Sequence, residues 1–123
     1  MFDKNRLKYL LSNIEDSINL ILSQRAAIKC SLDFVSSQQG VFVMGGICMQ
    51  LVLIGETVKV IDAKTDGKYL LNYPEIPWKA IMGLRNLIAH EYNKIDEDEI
   101  FNIINGDLDT LLRTVQQMKR ELE

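Results

Sequence analysis

Five side chains in this sequence could bind an anion or move a proton: Arg85, Asn86, His90 and Tyr92 stand close together, and Glu56 stands apart from them. A guanidinium is permanently charged, so Arg85 requires a carboxylate, an outlet to water or a phosphate. His90 is the only histidine of the chain, and imidazole is the usual side chain for proton transfer near neutral pH. Asn86 precedes it by one helical turn, close enough to orient the ring. Tyr92 adds a phenolic hydroxyl. Glu56, the sole acid in a long apolar segment, is the candidate internal partner of Arg85.

On a helical wheel at about 100° per residue, Trp78, Ile81, Met82, Leu84, Ile88, Ala89 and Tyr92 form one broad apolar arc that contains Arg85. Gly83, Asn86 and His90 share the adjoining flank, where Gly83 leaves room for another helix to approach. Arg85 and His90 are separated by about 140°. A site that uses both therefore requires a distorted last turn, a long reach by Arg85 or a second subunit. Taken singly, each residue also has a structural reading: Arg85 as a salt-bridge member, His90 as a helix-end residue, Asn86 as a cap, and Tyr92 as a half-buried aromatic.

The elements that position these groups are legible as helices. Leu7, Leu10, Leu11, Ile14, Ile18, Ile21, Leu22 and Ile28 recur at intervals of three and four, which predicts a first helix from Asp3, its N-cap, to about Ser36. A polar break at Ser36 to Gly40 precedes an apolar second helix reaching about Asp62. The run from Val41 to Gly55 is expected to be a buried core helix, too short for a membrane span because Glu56 and Lys59 close it. Ala63 to Pro77 reads as an ordered connection, and Pro77 opens a third helix to about Tyr92. After a turn, Asp96 caps a final helical region with a break or kink at Gly106-Asp107. The expected fold is all-α, an up-and-down bundle of four to five helices forming a single domain over residues 1–123.

Composition narrows the function. The chain has 123 residues, 47% hydrophobic and 25% charged, which suits one globular core. A net charge of −3 provides no general attraction for nucleic acid, so any such contact must be local. Small basic groups at Lys4, Arg6 and Lys8 and at Arg113, Lys119 and Arg120 are diluted by acids and read as solvated faces. Cys30, Cys48 and a single histidine do not assemble a zinc set, so neither a metal nor a cofactor is expected. Met1 to Leu10 lacks the apolar run of a secretory signal, and the expected compartment is the cytoplasm.

The block GLRNLIAHEYNKID from Gly83 to Asp96 resembles the signature of the HepT-like branch of HEPN ribonucleases. That signature is arginine, a polar residue, a short spacer, histidine, one residue and tyrosine. Arg85, Asn86, His90 and Tyr92 match it in order and spacing. The YPEIPWKAI of Tyr73 to Ile81, the IGE of Ile54 to Glu56 and Ile95-Asp96 resemble the same branch, whereas Met1 to Gly40 matches only in helical pattern. Asn93 departs from it, since an aromatic residue commonly follows the tyrosine; the change affects the turn more than the chemistry.

The resemblance implies a homodimeric, metal-independent endoribonuclease toxin with both copies of the motif facing one cleft. It further implies a nucleotidyltransferase antitoxin of the MNT type that adenylylates the motif tyrosine, here Tyr92. Cleavage of RNA through its own 2′-hydroxyl requires a base, an acid and positive charge on the phosphate. One chain supplies one histidine, and a symmetric pair supplies two. Arg85, His90 and Asn86 are thus the expected catalytic residues, with Glu56 in support. Two other readings stand beside this one: a noncatalytic HEPN module that binds nucleotides or a partner, and a structural dimerisation domain. No base-reading element names the RNA target.

Overall fold

The computed structural model describes residues 3–123, and among these every regular element is helical. Helix α1 spans Lys4–Leu22, α2 Gln38–Lys64, α3 Trp78–Glu91, α4 Glu97–Asn102 and α5 Leu108–Glu121. The expected up-and-down bundle is present: α1 packs between α2 and α5, and α3 packs on the other side of α2. Leu11, Ile14 and Ile18 of α1, Ile47, Ile54 and Val58 of α2, and Val115 and Met118 of α5 are almost wholly buried at its centre.

The caps expected at two helix starts hold. Asp3 accepts from Asn5 N and Arg6 N, and Asp96 accepts from Asp98 N, satisfying backbone donors that a helix N-terminus leaves free. The first helix is shorter than its spacing suggests. It stops at Leu22 instead of continuing to Ser36, and short 3₁₀ turns follow at Arg25–Ala27 and Ser31–Phe34. The Asp33 carboxylate accepts from Lys29 N and Cys30 N, so a side chain takes backbone donors that a helix would have used. Ile28 and Phe34 still reach the core, from a loop.

Helix α2 begins at Gln38, inside the expected break, because the Ser37 hydroxyl accepts from Gly40 N and caps it. At Gly40 the two segments nearly touch: an added Cβ would lie 1.9 Å from the Asp33 carbonyl oxygen. The helix then runs through Glu56 and Lys59 to Lys64. Its 27 residues are long and apolar enough to cross a membrane, which corrects the expectation of a run too short to do so. In this fold 44% of its most apolar stretch is buried inside the protein.

The connection from α2 to α3 is ordered, as expected. Asp66 and Gly67 adopt left-handed backbone with φ of 55° and 71°, and Tyr69, Leu70, Tyr73 and Ile76 are buried beyond them. The Trp78 indole donates to the Tyr73 carbonyl, which ties this connection to the start of α3. Pro77 precedes α3, and its carbonyl accepts from Ala80 N and Ile81 N. The expected break at Gly106-Asp107 is instead a π-helical turn over Ile103–Asp107, which joins α4 to α5 without interrupting the helical path. Arg25 Nη1 bonds both the Ile104 carbonyl and Asp109, bracing that turn from the α1 side.

Candidate functional site

Helix α3 presents two different flanks. Arg85 faces α2, whereas Lys79, Gly83, Asn86 and His90 follow one another along the exposed side at intervals of four, three and four. Only Trp78 and Ile88 of the expected apolar arc are fully buried; Ile81, Met82 and Leu84 pack partly against the core, and Ala89 and Tyr92 are exposed.

Arg85 is held from three sides. Its stem crosses α2 at Gly55, where an added Cβ would lie 2.4 Å from Arg85 Cβ and 3.2 Å from the Ile81 carbonyl oxygen. Its Nε forms an ion pair with Glu56 Oε1, the partner expected from sequence, and both atoms are buried. Its Nη1 donates to Asn86 Oδ1 at 2.9 Å. The Arg85 side chain retains 23% exposure, so the guanidinium is fixed in direction while its edge still meets solvent. A group of this kind can donate to a phosphate oxygen without reorganising.

The structure brings Arg85, Asn86 and Glu56 together but not His90. Asn86, expected to orient the imidazole, turns its oxygen to Arg85 instead, because the adjacent guanidinium is the stronger donor. His90 stands exposed in the last turn of α3, on the flank away from Arg85. The separation of the two residues read from the wheel therefore persists within the protomer.

Tyr92 begins a 3₁₀ turn, Tyr92–Lys94, and α3 ends one residue earlier than expected. Its ring is 46% exposed, and its hydroxyl rests over α2 at Gly45, where an added Cβ would lie 3.7 Å away. Burial raises the phenol pKa, and the nearby Cys48 raises it further. The wheel set Tyr92 next to Arg85. In the fold they share a face, but they meet α2 at Gly45 and Gly55, about 15 Å apart along its axis. Cys48 lies beneath this surface, where burial pushes its thiol up to about 11, so it is not a nucleophile at neutral pH.

Two contributors escaped the sequence reading, Gly55 and Gly45. Their signal was a glycine inside an apolar helix, one of them directly before Glu56. Gly83 behaves differently from expectation: among the described residues no helix approaches it, and an added Cβ there meets nothing within 4 Å. Among the described residues no three His, Cys, Asp or Glu side chains are grouped as metal ligands.

Comparison with known proteins bears on this arrangement. The family model described as Ribonuclease HepT-like matches residues 14–118. The chain belongs to the HepT-like ribonuclease family. Among its relatives, the "Putative RNase MJ1380" of Methanocaldococcus jannaschii is 26% identical over 120 residues, covering 98% of this chain and 96% of the relative. The "Probable ribonuclease HepT" of Thermococcus cleftensis is 27% identical over 117 residues, covering 95% of this chain and 99% of the relative. No solved structure gives a significant match. The match spans the HepT-like motif from Arg85 to Tyr92 together with the helix that supplies Glu56.

Proposed function

We propose that this HepT-like chain is a metal-independent endoribonuclease toxin whose active site forms where two copies meet. The observation that carries the reading is the Arg85 guanidinium, fixed by Glu56, Asn86 and Gly55 yet open at its edge, in a chain of a ribonuclease family. Arg85 binds the scissile phosphate and stabilises charge as it builds up. His90 takes the proton of the 2′-hydroxyl, whose oxygen attacks the adjacent phosphorus. The partner subunit's His90 gives a proton to the departing 5′-oxygen. Asn86 steadies Arg85 instead of the imidazole.

A second copy is supported by residues with no use inside the protomer. Phe42, Met49 and Leu53 expose their apolar side chains along the outer face of α2, at 79%, 57% and 46%. Gly46 and Gly83 lie within helices, where each costs about 1 kcal/mol relative to alanine, and neither has an atom within 4 Å of an added Cβ. Exposed apolar surface beside bare helix backbone suits close packing against a partner. Pairing copies across the α2–α3 face also provides the second imidazole and a way for Arg85 and His90 to share one groove.

The test is incubation of the purified protein with RNA in excess chelator, followed by analysis of the new ends. Fragments bearing a 2′,3′-cyclic phosphate and a 5′-hydroxyl are expected. RNA left intact, or 3′-hydroxyl ends, contradicts the reading.

Silencing by a nucleotidyltransferase antitoxin of the MNT type is part of the proposal. The Tyr92 oxygen attacks the α-phosphorus of ATP, pyrophosphate leaves, and AMP remains on the phenol. A base must remove the phenol proton, since a tyrosine hydroxyl is protonated near neutral pH. The added phosphodiester anion lies on the α2–α3 face, where it obstructs the partner or the RNA. With antitoxin and ATP, wild type gains the mass of AMP, and Tyr92→Phe gains none. Undiminished modification of Tyr92→Phe moves the target to another residue.

A further inference from the structure

On the flank of α3 turned away from His90, a groove of about 410 Å³ separates α3 from the α4–α5 region. It exists because α3 packs mainly on α2 and leaves its other side uncovered. The floor is apolar, with Ile54 of α2, Ile81 and Leu84 of α3, Ile103 of the π-helical turn and Leu111 of α5. Glu75, Glu99 and Asp107 stand on the rim. All three are exposed, and among the described residues none of them has an ion-pair partner.

The surrounding charge is mostly acidic, although Arg113, whose Nη2 donates to the lining Thr110 Oγ1, places one cation beside it. From Ile95 to Leu112 the chain contains Asp96, Glu97, Asp98, Glu99, Asp107 and Asp109 and no lysine, arginine or histidine. Among the described residues, Asp109 alone of these acids forms an ion pair, with Arg25. Such a rim repels phosphate, so the groove is no extension of an RNA path. It favours a ligand that is apolar where it enters and cationic where it meets the edge.

We propose that this groove receives an amphipathic helix of a partner protein, with aliphatic side chains inserted between α3 and α5 and lysine or arginine facing Glu75, Glu99 and Asp107. The volume supports that occupant: a cavity of about 150 Å³ holds a six-carbon ring, so this one holds two or three aliphatic side chains. A helix laid in a groove presents anchors at just such intervals, one turn apart. The occupant would rest on the helix that carries Arg85 and His90 while leaving their exposed face clear. The proposal does not depend on the nuclease reading.

A fluorescent 14-residue peptide of leucine and lysine, patterned as an amphipathic helix, is the probe, with a leucine and glutamate peptide as control. Both are titrated at physiological salt into the full chain, whose isoleucine and leucine methyl groups are followed by NMR. The expected result is binding of the lysine peptide with shifts centred on Ile81, Leu84, Ile103 and Leu111, and at least tenfold weaker binding of the glutamate peptide. Combining Glu75→Gln, Glu99→Gln and Asp107→Asn, all at exposed positions, weakens the lysine peptide at least tenfold without altering the remaining spectrum. The proposal is overturned by any of four results. These are no binding, shifts centred on Phe42, Met49 and Leu53, unchanged affinity in the triple variant, or an RNA oligonucleotide that moves the same groove methyls.

Discussion

Arg85→Ala and His90→Ala are each expected to lower RNA cleavage by about 100-fold or more, while the protein stays folded. Loss of one preorganised positive donor at a developing oxyanion costs about 10²–10³ in rate, and loss of a proton-transfer group about 10²–10⁴. Stability changes little by comparison. His90 is exposed, and Glu56, the partner that Arg85→Ala abandons, keeps 44% exposure and can be hydrated by water. An ion pair whose contact atoms are buried but whose two side chains stay partly exposed contributes about 1 kcal/mol. Arg85→Lys is expected to lose most of the activity too. An ammonium is a single point of charge and cannot direct Nε to Glu56 and Nη1 to Asn86 while presenting an edge to phosphate. Cleavage rates and circular dichroism on the same preparations check the prediction, and activity near wild type in either alanine variant removes that residue from the mechanism.

The second large effect falls on Gly55→Ala, a change of one methyl group. That methyl would sit 2.4 Å from Arg85 Cβ and 3.0 Å from Cγ, with the Ile81 backbone close behind, so α2 and α3 must separate or Arg85 must leave its place. Overpacking of this kind costs about 1–3 kcal/mol, against a gain of about 1 kcal/mol from replacing a helical glycine. Net destabilisation of up to about 2 kcal/mol is expected. The catalytic effect is larger, because a displacement of about 1 Å at a reacting group can cost about 100-fold. Gly83→Ala is the control: its methyl meets nothing in the protomer, so the unfolding midpoint of the protomer does not fall. Thermal unfolding of both variants and RNA cleavage by Gly55→Ala decide the matter. Full activity in Gly55→Ala means that the close contact does not place Arg85.

Much of this was legible in the sequence because it follows from local rules. Asp3 and Asp96 announce their helices through capping, and the apolar spacing from Ile100 to Leu122 survives the π-helical turn because that turn keeps the chain helical. The Glu56–Arg85 pair could be anticipated because an acid in an apolar helix and an arginine in an apolar arc each need the other. The failure of Arg85 and His90 to converge in one protomer was equally visible, since 3.6 residues per turn fixes the angle between them.

What was missed depends on contacts between distant parts of the chain. Ile28 continues the spacing of α1, yet it enters the core from a loop, because past Leu22 the backbone closes tight three-residue turns, with Gln24 N donating to the Ile21 carbonyl and Ile28 N to the Arg25 carbonyl. Gly55 gains its meaning only once α3 is known to cross α2 there. Asn86 had two possible partners, one residue and one turn away, and sequence distance could not choose the nearer. The helix itself was expected to reach about Asp62 and ends at Lys64; only its apolar run was read too short, because Glu56 and Lys59 were taken to close that run.

The central claim is that two copies of the chain contribute to one cleavage event. Wild-type and His90→Ala subunits carrying different tags can be co-expressed, and the mixed dimer isolated by two affinity steps and assayed on RNA in chelator. A shared groove that uses both imidazoles predicts activity at least tenfold below that of the wild-type dimer. Activity close to half of wild type would show that each subunit cleaves on its own, and would contradict the account.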